Sequence, residues 1–132
     1  MQDKPNIPEL VAAVAYFLRN EILPIQADPR LQFRIRVALN ALGILERETQ
    51  FGISTQLNEV ALLSKHLKCE ILDKSLDETE FELNALLAQK IRTGNAPNGT
   101  LDLLFELSRA KLAITSPKTL SKYENSRHME GQ

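Results

Sequence analysis

The chain has 132 residues, of which 43% are hydrophobic and 25% charged, and its 16 basic and 17 acidic residues leave a formal net charge of −1. This length suits a single domain that buries most of its apolar surface without disulfides or metals. The balanced charge gives no overall attraction to phosphate backbones or anionic lipids, so we expect no nucleic-acid partner and no membrane association.

Two further features predict a cytoplasmic protein. A single cysteine, Cys69, cannot form an internal disulfide, which is typical of a reducing compartment. The N-terminal sequence MQDKPNIPEL has no basic stretch leading into an apolar core and a cleavage site, and the nearby apolar run from Val11 to Leu18 is too short for a membrane span.

Local signals predict a first helix from about Ile7 to Leu23. Asn6 and Glu9 have the spacing of a capping box, and Pro24 stops the helix. A second helix opens at Asp28-Pro29, with Asp28 as the N-cap, and Gly52 is its natural end.

The third predicted helix begins at Ser54 or Thr55 and reaches about Asp73. Its apolar positions follow a spacing of three and four residues: Leu57, Val60, Leu63, Leu67 and Ile71.

A fourth helix has a strong start signal, because Asp77 can cap it, Glu80 lies at the third helical position, and Leu76 can pack on Phe81. Gly94 is its expected end.

The turn from Asn95 to Gly99 leads to a fifth helix, capped by Thr100 and ended by Ser116-Pro117. Such segments joined by short loops predict an all-α fold, a single-domain bundle of about five helices, mostly antiparallel. We expect the helical domain to span residues 1–117 and residues 118–132 to form a polar, flexible tail.

A thin polar stripe interrupts the otherwise apolar stretch from Leu31 to Leu45. Arg36, Asn40, Gly43 and Arg47 recur at helical spacing and share one side of the second helix. A helix that is apolar nearly all round is a buried one, and polar groups inside a core need partners. We expect Arg36 and Asn40 to be the inner members and Arg47 to be exposed.

Two more charged residues fall on apolar faces, Glu21 on the first helix and Lys111 on the fifth. One hypothesis is that Glu21 pairs with Arg36 or Lys111 where three helices meet, while Asn40 satisfies neighbouring polar groups. Arg and Lys also suit an anionic ligand, so Glu21, Arg36, Asn40 and Lys111 form a candidate polar network or ligand-binding site. The simpler interpretation is that these side chains lay their stems on apolar surface and keep their charges in water.

No motif in the chain identifies a reaction. His66 and Cys69 share one side of the third helix, but two ligands do not make a metal site, and the other histidine, His128, lies in the tail. We interpret both as structural residues, and we expect no catalytic residues, no metal and no cofactor.

Four stretches carry a family resemblance, and in order they are QDKPNIPELVAAVAYFLRNEILP, FRIRVALNALGILERE, AQKIRTGN and AKLAITSP. Together they resemble an uncharacterised bacterial family of small helical proteins, over most of residues 2–117. The positions that match its pattern are Gln2, Asp3, Pro5, Arg19, Glu21, Pro24, Arg36, Asn40, Arg47, Glu48, Arg92, Gly94 and Lys111. The family often closes with Asn-Pro-Arg-Tyr, and the segment Thr115-Ser116-Pro117-Lys118 departs from that ending.

The resemblance implies a functional setting. Such proteins are commonly encoded beside an aminoglycoside-phosphotransferase-like kinase and an acyl-CoA dehydrogenase-like flavoenzyme, without an assigned activity of their own. Two function classes follow. The first is a non-catalytic accessory or interaction protein that works with those enzymes, and that also suits a homodimer. The second is a small anionic-ligand-binding or catalytic domain with its site at Glu21, Arg36, Asn40 and Lys111, and with Asp3 as a further member.

Overall fold

The structure is a computed structural model that describes residues 4–70 and 73–130, apart from the side chains of His128 and Glu130. It is 84% helical, and the described residues contain no strand, which confirms the all-α prediction. Its five α-helices are α1 (Ile7–Phe17), α2 (Pro29–Leu67), α3 (Leu76–Arg92), α4 (Thr100–Thr115) and α5 (Pro117–Glu130). The predictions for Gln2, Asp3 and Ile71 fall outside the described residues.

Helix α1 begins as the sequence predicts. The Asn6 side chain accepts a hydrogen bond from the N–H of Glu9, and the Glu9 carboxylate accepts one from the N–H of Asn6, both at 2.9 Å. The α-helix ends earlier than expected and continues as a π-helical turn, Leu18–Ile22, and a 3-10 turn, Leu23–Ile25. Pro24 lies in the 3-10 turn. Because proline has no backbone N–H, it cannot donate the hydrogen bond that would continue an α-helix.

Helix α2 corrects the prediction that Gly52 ends a helix. Asp28 caps its start through a 2.9 Å hydrogen bond from the N–H of Arg30, but the helix then runs unbroken for 39 residues. A glycine inside a helix costs only about 1 kcal/mol relative to alanine. Packing along the helix can offset that cost, so the glycine by itself does not stop it.

The C-terminus of α2 is also earlier than predicted, at Leu67 rather than Asp73. Lys68 has a φ of +52°, and the N–H of Cys69 donates to the carbonyl of Ser64 at 3.1 Å. Helix α3 ends in the same motif, with Gly94 at φ +74° as predicted and the N–H of Asn95 donating to the carbonyl of Lys90 at 2.8 Å. Only the second of these ends carries the glycine that sequence reasoning looks for.

The start of α3 lies earlier than the predicted cap. Ser75 is the N-cap, and Glu78 completes the capping box, so Asp77 and Glu80 are free for other contacts. Phe81, which we expected to pack on Leu76, is 75% exposed. Sequence reasoning missed Ser75 and Glu78, which also have the spacing of a capping box, and Asp77 and Glu80 instead accept hydrogen bonds from Gln56.

Two further differences concern the C-terminal part. Thr100 is the first residue of α4 rather than its cap, since the carbonyl of Gly99 accepts the hydrogen bond from the N–H of Leu103. Residues 118–130, which we expected to be a tail, lie in helix α5. The five described α-helices match the predicted number for a different reason. The predicted second and third helices form the single helix α2, and α5 was not predicted.

The chain divides into two compact units. Unit 1 contains the described residues up to Gly52 together with Ile114–Ser116, and unit 2 contains residues 53–113 and the described part of the segment after Ser116. None of the described helices has the length and apolarity needed to cross a bilayer.

Unit 2 has a continuous apolar core built by three helices. Its buried members lie three or four residues apart on α2, α3 and α4, and they are Val60, Leu63, Leu67, Leu83, Leu87, Leu103 and Leu107. Leu57, which we expected on this face, is exposed instead.

The polar contacts of unit 2 give the helix directions. From Gln56 to Glu59 along α2, the hydrogen-bonded positions on α3 advance from Glu80 to Asn84, so α3 follows this part of α2 in the same general direction. The eight residues between the helices span up to about 26 Å when extended, which is enough to return along α2. Helix α4 runs the opposite way along α2, because its first residue, Thr100, contacts His66 and the later residue Lys111 contacts the earlier Glu59.

Candidate functional site

The two ends of the polar stripe on α2 are buried in the opposite order to the one we expected, which had Arg36 and Asn40 inside and Arg47 exposed. Arg36 and Asn40 are exposed, whereas Gly43 and Arg47 are half-buried. Arg36 is exposed because unit 1 covers a different face of α2. Ile35, which points about 100° away from Arg36, is half-buried on that covered face. Burial thus reaches the stripe only at its C-terminal end.

Arg47 has a defined structural role within unit 1. Its Nε donates a 2.6 Å hydrogen bond to the carbonyl oxygen of Ile114, a buried residue near the end of α4. A cation suits this position because the last carbonyls of a helix lack backbone donors and carry partial negative charge. Gly43 makes room for it, since a Cβ at Gly43 would lie 3.3 Å from Nη1 of Arg47.

Glu21 and Arg36 are both exposed in unit 1. Within the described part of the chain, no ion pair joins these two side chains. Their participation in a common site with Asn40 and Lys111 therefore stays a prediction.

Lys111 has a buried carboxylate partner in unit 2. Its Nζ lies 3.2 Å from Oε1 of Glu59, whose side chain is only 4% exposed, while the Lys111 side chain is 56% exposed. The Nδ2 of Asn84 donates to the same oxygen at 3.1 Å and also to the carbonyl of Glu80 at 3.0 Å. The three residues connect α2, α4 and α3, which gives the buried charge both a counter-ion and a hydrogen-bond donor.

Sequence reasoning expected Lys111 to meet Glu21 and Arg36 where the first, second and fifth predicted helices join, and it missed Glu59 and Asn84. A signal was present, because Glu59 lies four residues before Leu63 and one before Val60, inside the apolar stripe of α2. Gln56 extends the same polar layer, since its Nε2 donates to Asp77 at 2.7 Å and to Glu80 at 2.6 Å.

His66 has a structural hydrogen bond as well. Its Nε2 lies 2.7 Å from Oγ1 of Thr100, and that hydroxyl donates its hydrogen to the carbonyl of Pro97, also at 2.7 Å. The His66 nitrogen is then the donor, because the hydroxyl hydrogen is already used. Residues 4–70 and 73–130 contain no group of three or more His, Cys, Asp or Glu side chains arranged to hold a metal ion.

The outer side of α2 presents large apolar side chains beside the polar stripe. Phe33 is 65% exposed and Val37 is 52% exposed, one helical turn apart. Arg36 and Asn40 have the same spacing and lie on the adjoining ridge. We refer to Phe33, Arg36, Val37 and Asn40 as the α2 outer face. An exposed aromatic residue flanked by aliphatic, arginine and amide groups has the composition of a protein-binding surface.

Comparison with known families gives one match. Residues 25–119, more than half of the chain, match a domain of unknown function designated DUF6285. No curated protein and no solved structure has significant similarity to the chain.

Proposed function

We propose that this chain, which belongs to the domain-of-unknown-function family DUF6285, is a non-catalytic accessory protein that acts by binding other proteins. The observation that carries the proposal is the α2 outer face, where Phe33 and Val37 lie exposed beside Arg36 and Asn40. Burying such a surface releases water from apolar area, and the arginine and amide supply directional hydrogen bonds that select the partner.

The small core of unit 1 supports the same function. Among its described residues, the buried apolar side chains are Val11, Ala15 and Ile114. Many of its large apolar residues are exposed, including Phe33, Ile25 and Phe51. A protein that exposes this much apolar surface over two helices gains stability when another protein covers it.

The partners in this proposal are an acyl-CoA dehydrogenase-like flavoenzyme and an aminoglycoside-phosphotransferase-like kinase, in a bacterial cytoplasm. They come from the resemblance of the QDKPNIPEL and FRIRVALNALGILERE stretches to a family encoded beside such enzymes. A homodimer is compatible with this proposal, because the enzymes need only the α2 outer face and other exposed apolar surface of unit 1 can serve a second copy.

The alternative function, an anionic-ligand site at Glu21, Arg36, Asn40 and Lys111, has weaker support. Lys111 already neutralises the buried carboxylate of Glu59, so drawing its ammonium to a ligand would leave a buried charge unpaired. Arg36 and Asn40 are exposed to solvent, where single ionic contacts contribute little. Both residues contribute more as parts of a protein interface than as an isolated anion site.

Co-expression of the full chain with the two enzymes tests the accessory function. We expect a complex that survives affinity purification and size-exclusion chromatography. Phe33→Asp should weaken it by at least tenfold, because it replaces the aromatic side chain of the α2 outer face with a charge. Phe81→Asp is the matched control, since Phe81 is 75% exposed but lies on α3 in unit 2.

Two outcomes would overturn the proposal. One is the absence of a complex with either enzyme under all ligand conditions, including bound nucleotide and acyl-CoA. The other is equal binding by Phe33→Asp and the unmodified chain. Loss of binding in Phe81→Asp but not in Phe33→Asp would move the interface away from unit 1 and would likewise contradict it.

A further inference from the structure

Helix α1 carries a second apolar face in addition to the one it buries. Val11 and Ala15 are buried, whereas Ile7, Leu10, Val14 and Phe17 are each between 47% and 55% exposed. The exposed residues are spaced three, four and three positions apart. This is the spacing of the contact line in paired helices, where each side chain inserts between those of a facing helix. We call these four residues the α1 seam.

We propose that a second copy of this chain covers the α1 seam, with the two α1 helices packed antiparallel about a two-fold axis. The inference rests on the proposed function, in which unit 1 is the part of the chain that binds protein. The second copy covers the α1 seam, which is a different face of unit 1 from the α2 outer face. A two-fold axis between Leu10 and Val14 sets Leu10 against Val14 of the second copy. It also sets Ile7 against Phe17, so each contact joins side chains of different size.

The spacing of the seam residues allows two copies to pair about a two-fold axis. A two-fold interface requires that the same patch on each copy fits the other, so that residue i contacts j and j contacts i. The seam satisfies this requirement because its 3-4-3 spacing is the same when read in either direction. An unrelated partner would not need such symmetry.

Charges at the two ends of α1 favour the antiparallel arrangement. Lys4 lies just before the helix, and Glu21 lies one turn beyond Phe17; both are exposed. Antiparallel pairing brings Lys4 of each copy to the end that carries Glu21 of the other. Parallel pairing would instead bring lysine to lysine and glutamate to glutamate, which costs free energy.

Between these ends the seam contains no charge that would oppose pairing. The only charged residue from Pro5 to Phe17 is Glu9, and its carboxylate is held by the N–H of Asn6 in the capping box. The second copy supplies the apolar layer that α1 and α2 lack within unit 1. Four helices from two copies can then share a core.

The test measures the mass of the full chain by light scattering and sedimentation over a wide concentration range. We expect a reversible dimer, and we expect Leu10→Glu combined with Val14→Glu to raise its dissociation constant by at least a hundredfold. Tyr16→Glu is the matched control, because Tyr16 is exposed on α1 outside the seam. All three substitutions are at exposed positions, so circular dichroism should report unchanged helix content.

Charge exchange tests the antiparallel order. Lys4→Glu and Glu21→Lys should each weaken the dimer several-fold at low salt, and the chain with both changes should recover because the charges are again opposite. A parallel seam predicts no change in any of the three variants, because like charges would still face like charges. Single variants that leave the dissociation constant unchanged, or a double variant without recovery, would overturn the antiparallel arrangement.

A chain that is monomeric at every concentration, or a dimer insensitive to the Leu10 and Val14 changes, would overturn this inference. Such a monomer could still bind the enzymes through the α2 outer face, which would leave the accessory function standing. A dimer that depends on the seam but binds neither enzyme would support this inference and contradict the accessory function. The two proposals therefore fail separately.

Discussion

The ammonium of Lys111 lies 3.2 Å from the carboxylate of Glu59, and the two residues differ sharply in exposure, with the Lys111 side chain 56% exposed and that of Glu59 4%. The lysine lays its stem across the surface and places its charge over the buried carboxylate. This arrangement keeps a negative charge inside the core of unit 2 without isolating it from a counter-ion.

Removing that counter-ion should destabilise the chain. We expect Lys111→Ala to lower the free energy of unfolding by about 1–3 kcal/mol, since the buried carboxyl group of Glu59 would lose its ion-pair partner and retain the neutral donor Asn84. The double change Glu59→Leu and Lys111→Met should recover most of the loss because it removes the buried charge altogether. Urea denaturation measures each value.

Arg109→Ala is the control for that prediction. Arg109 pairs with Glu124 at 3.5 Å, and both side chains are about half exposed, so its loss should cost less than about 0.5 kcal/mol. A cost for Lys111→Ala no greater than for Arg109→Ala would show that Glu59 does not depend on the lysine.

The effect of filling Gly43 should depend on Arg47. An alanine at position 43 gains about 1 kcal/mol of helix propensity, but its methyl group would press on the guanidinium that donates to Ile114. We expect Gly43→Ala to change stability little by itself. Arg47→Ala should cost about 2 kcal/mol by removing the donor, and adding Gly43→Ala to it should restore about 1 kcal/mol. Equal effects of Gly43→Ala in both backgrounds would contradict this coupling.

Gly52→Ala tests the continuity of α2. A Cβ at this position would lie 2.5 Å from Oε1 of Glu48, but Glu48 is exposed and its side chain can turn away. We therefore expect Gly52→Ala to raise the free energy of unfolding by about 0.5–1 kcal/mol.

Gly94→Ala is the matched comparison, because Gly94 has a φ of +74° at a helix end. There the added methyl group should destabilise by about 1 kcal/mol. Thermal and urea unfolding measure both variants. Destabilisation by Gly52→Ala as well would indicate that the helix breaks at Gly52.

The capping box of α3 predicts a dependence on pH. The Ser75 hydroxyl and backbone N–H donate to the Glu78 carboxylate at 2.8 and 3.1 Å, and they hold the pKa of Glu78 below its ordinary value. A carboxyl group with a lowered pKa in the folded chain stabilises it above the unfolded-state pKa, and this contribution is lost as the pH falls through the folded-state pKa.

Ser75→Ala should therefore raise the pKa of Glu78 toward its ordinary value, as read from the pH dependence of its side-chain carbon shift in NMR spectra. The stability difference between this variant and the unmodified chain should shrink in acid. Ser121→Ala, in the exposed part of α5, should leave the Glu78 titration unchanged. An unaltered Glu78 pKa in Ser75→Ala would assign the shift to another cause.

Signals confined to one helical turn were sufficient to predict several local features. The capping box of Asn6 and Glu9, the N-cap at Asp28 and the left-handed glycine at Gly94 all follow from hydrogen bonds between neighbours in the chain. The all-α class follows likewise from helical spacing and the lack of strand-forming patterns. These features need no information about which helices meet.

Tertiary structure decided which face of each helix is covered. Helical spacing predicted that Arg36, Asn40 and Arg47 share one side of α2. The packing of unit 1 leaves Arg36 and Asn40 exposed and half-buries Arg47. Glu59 is buried because α3 and α4 bring Asn84 and Lys111 to it, from 25 and 52 positions further along the chain. The sequence by itself determined local hydrogen bonds and helical periodicity; the burial of each charge depended on distant residues, because only they supply its cover and its counter-ion.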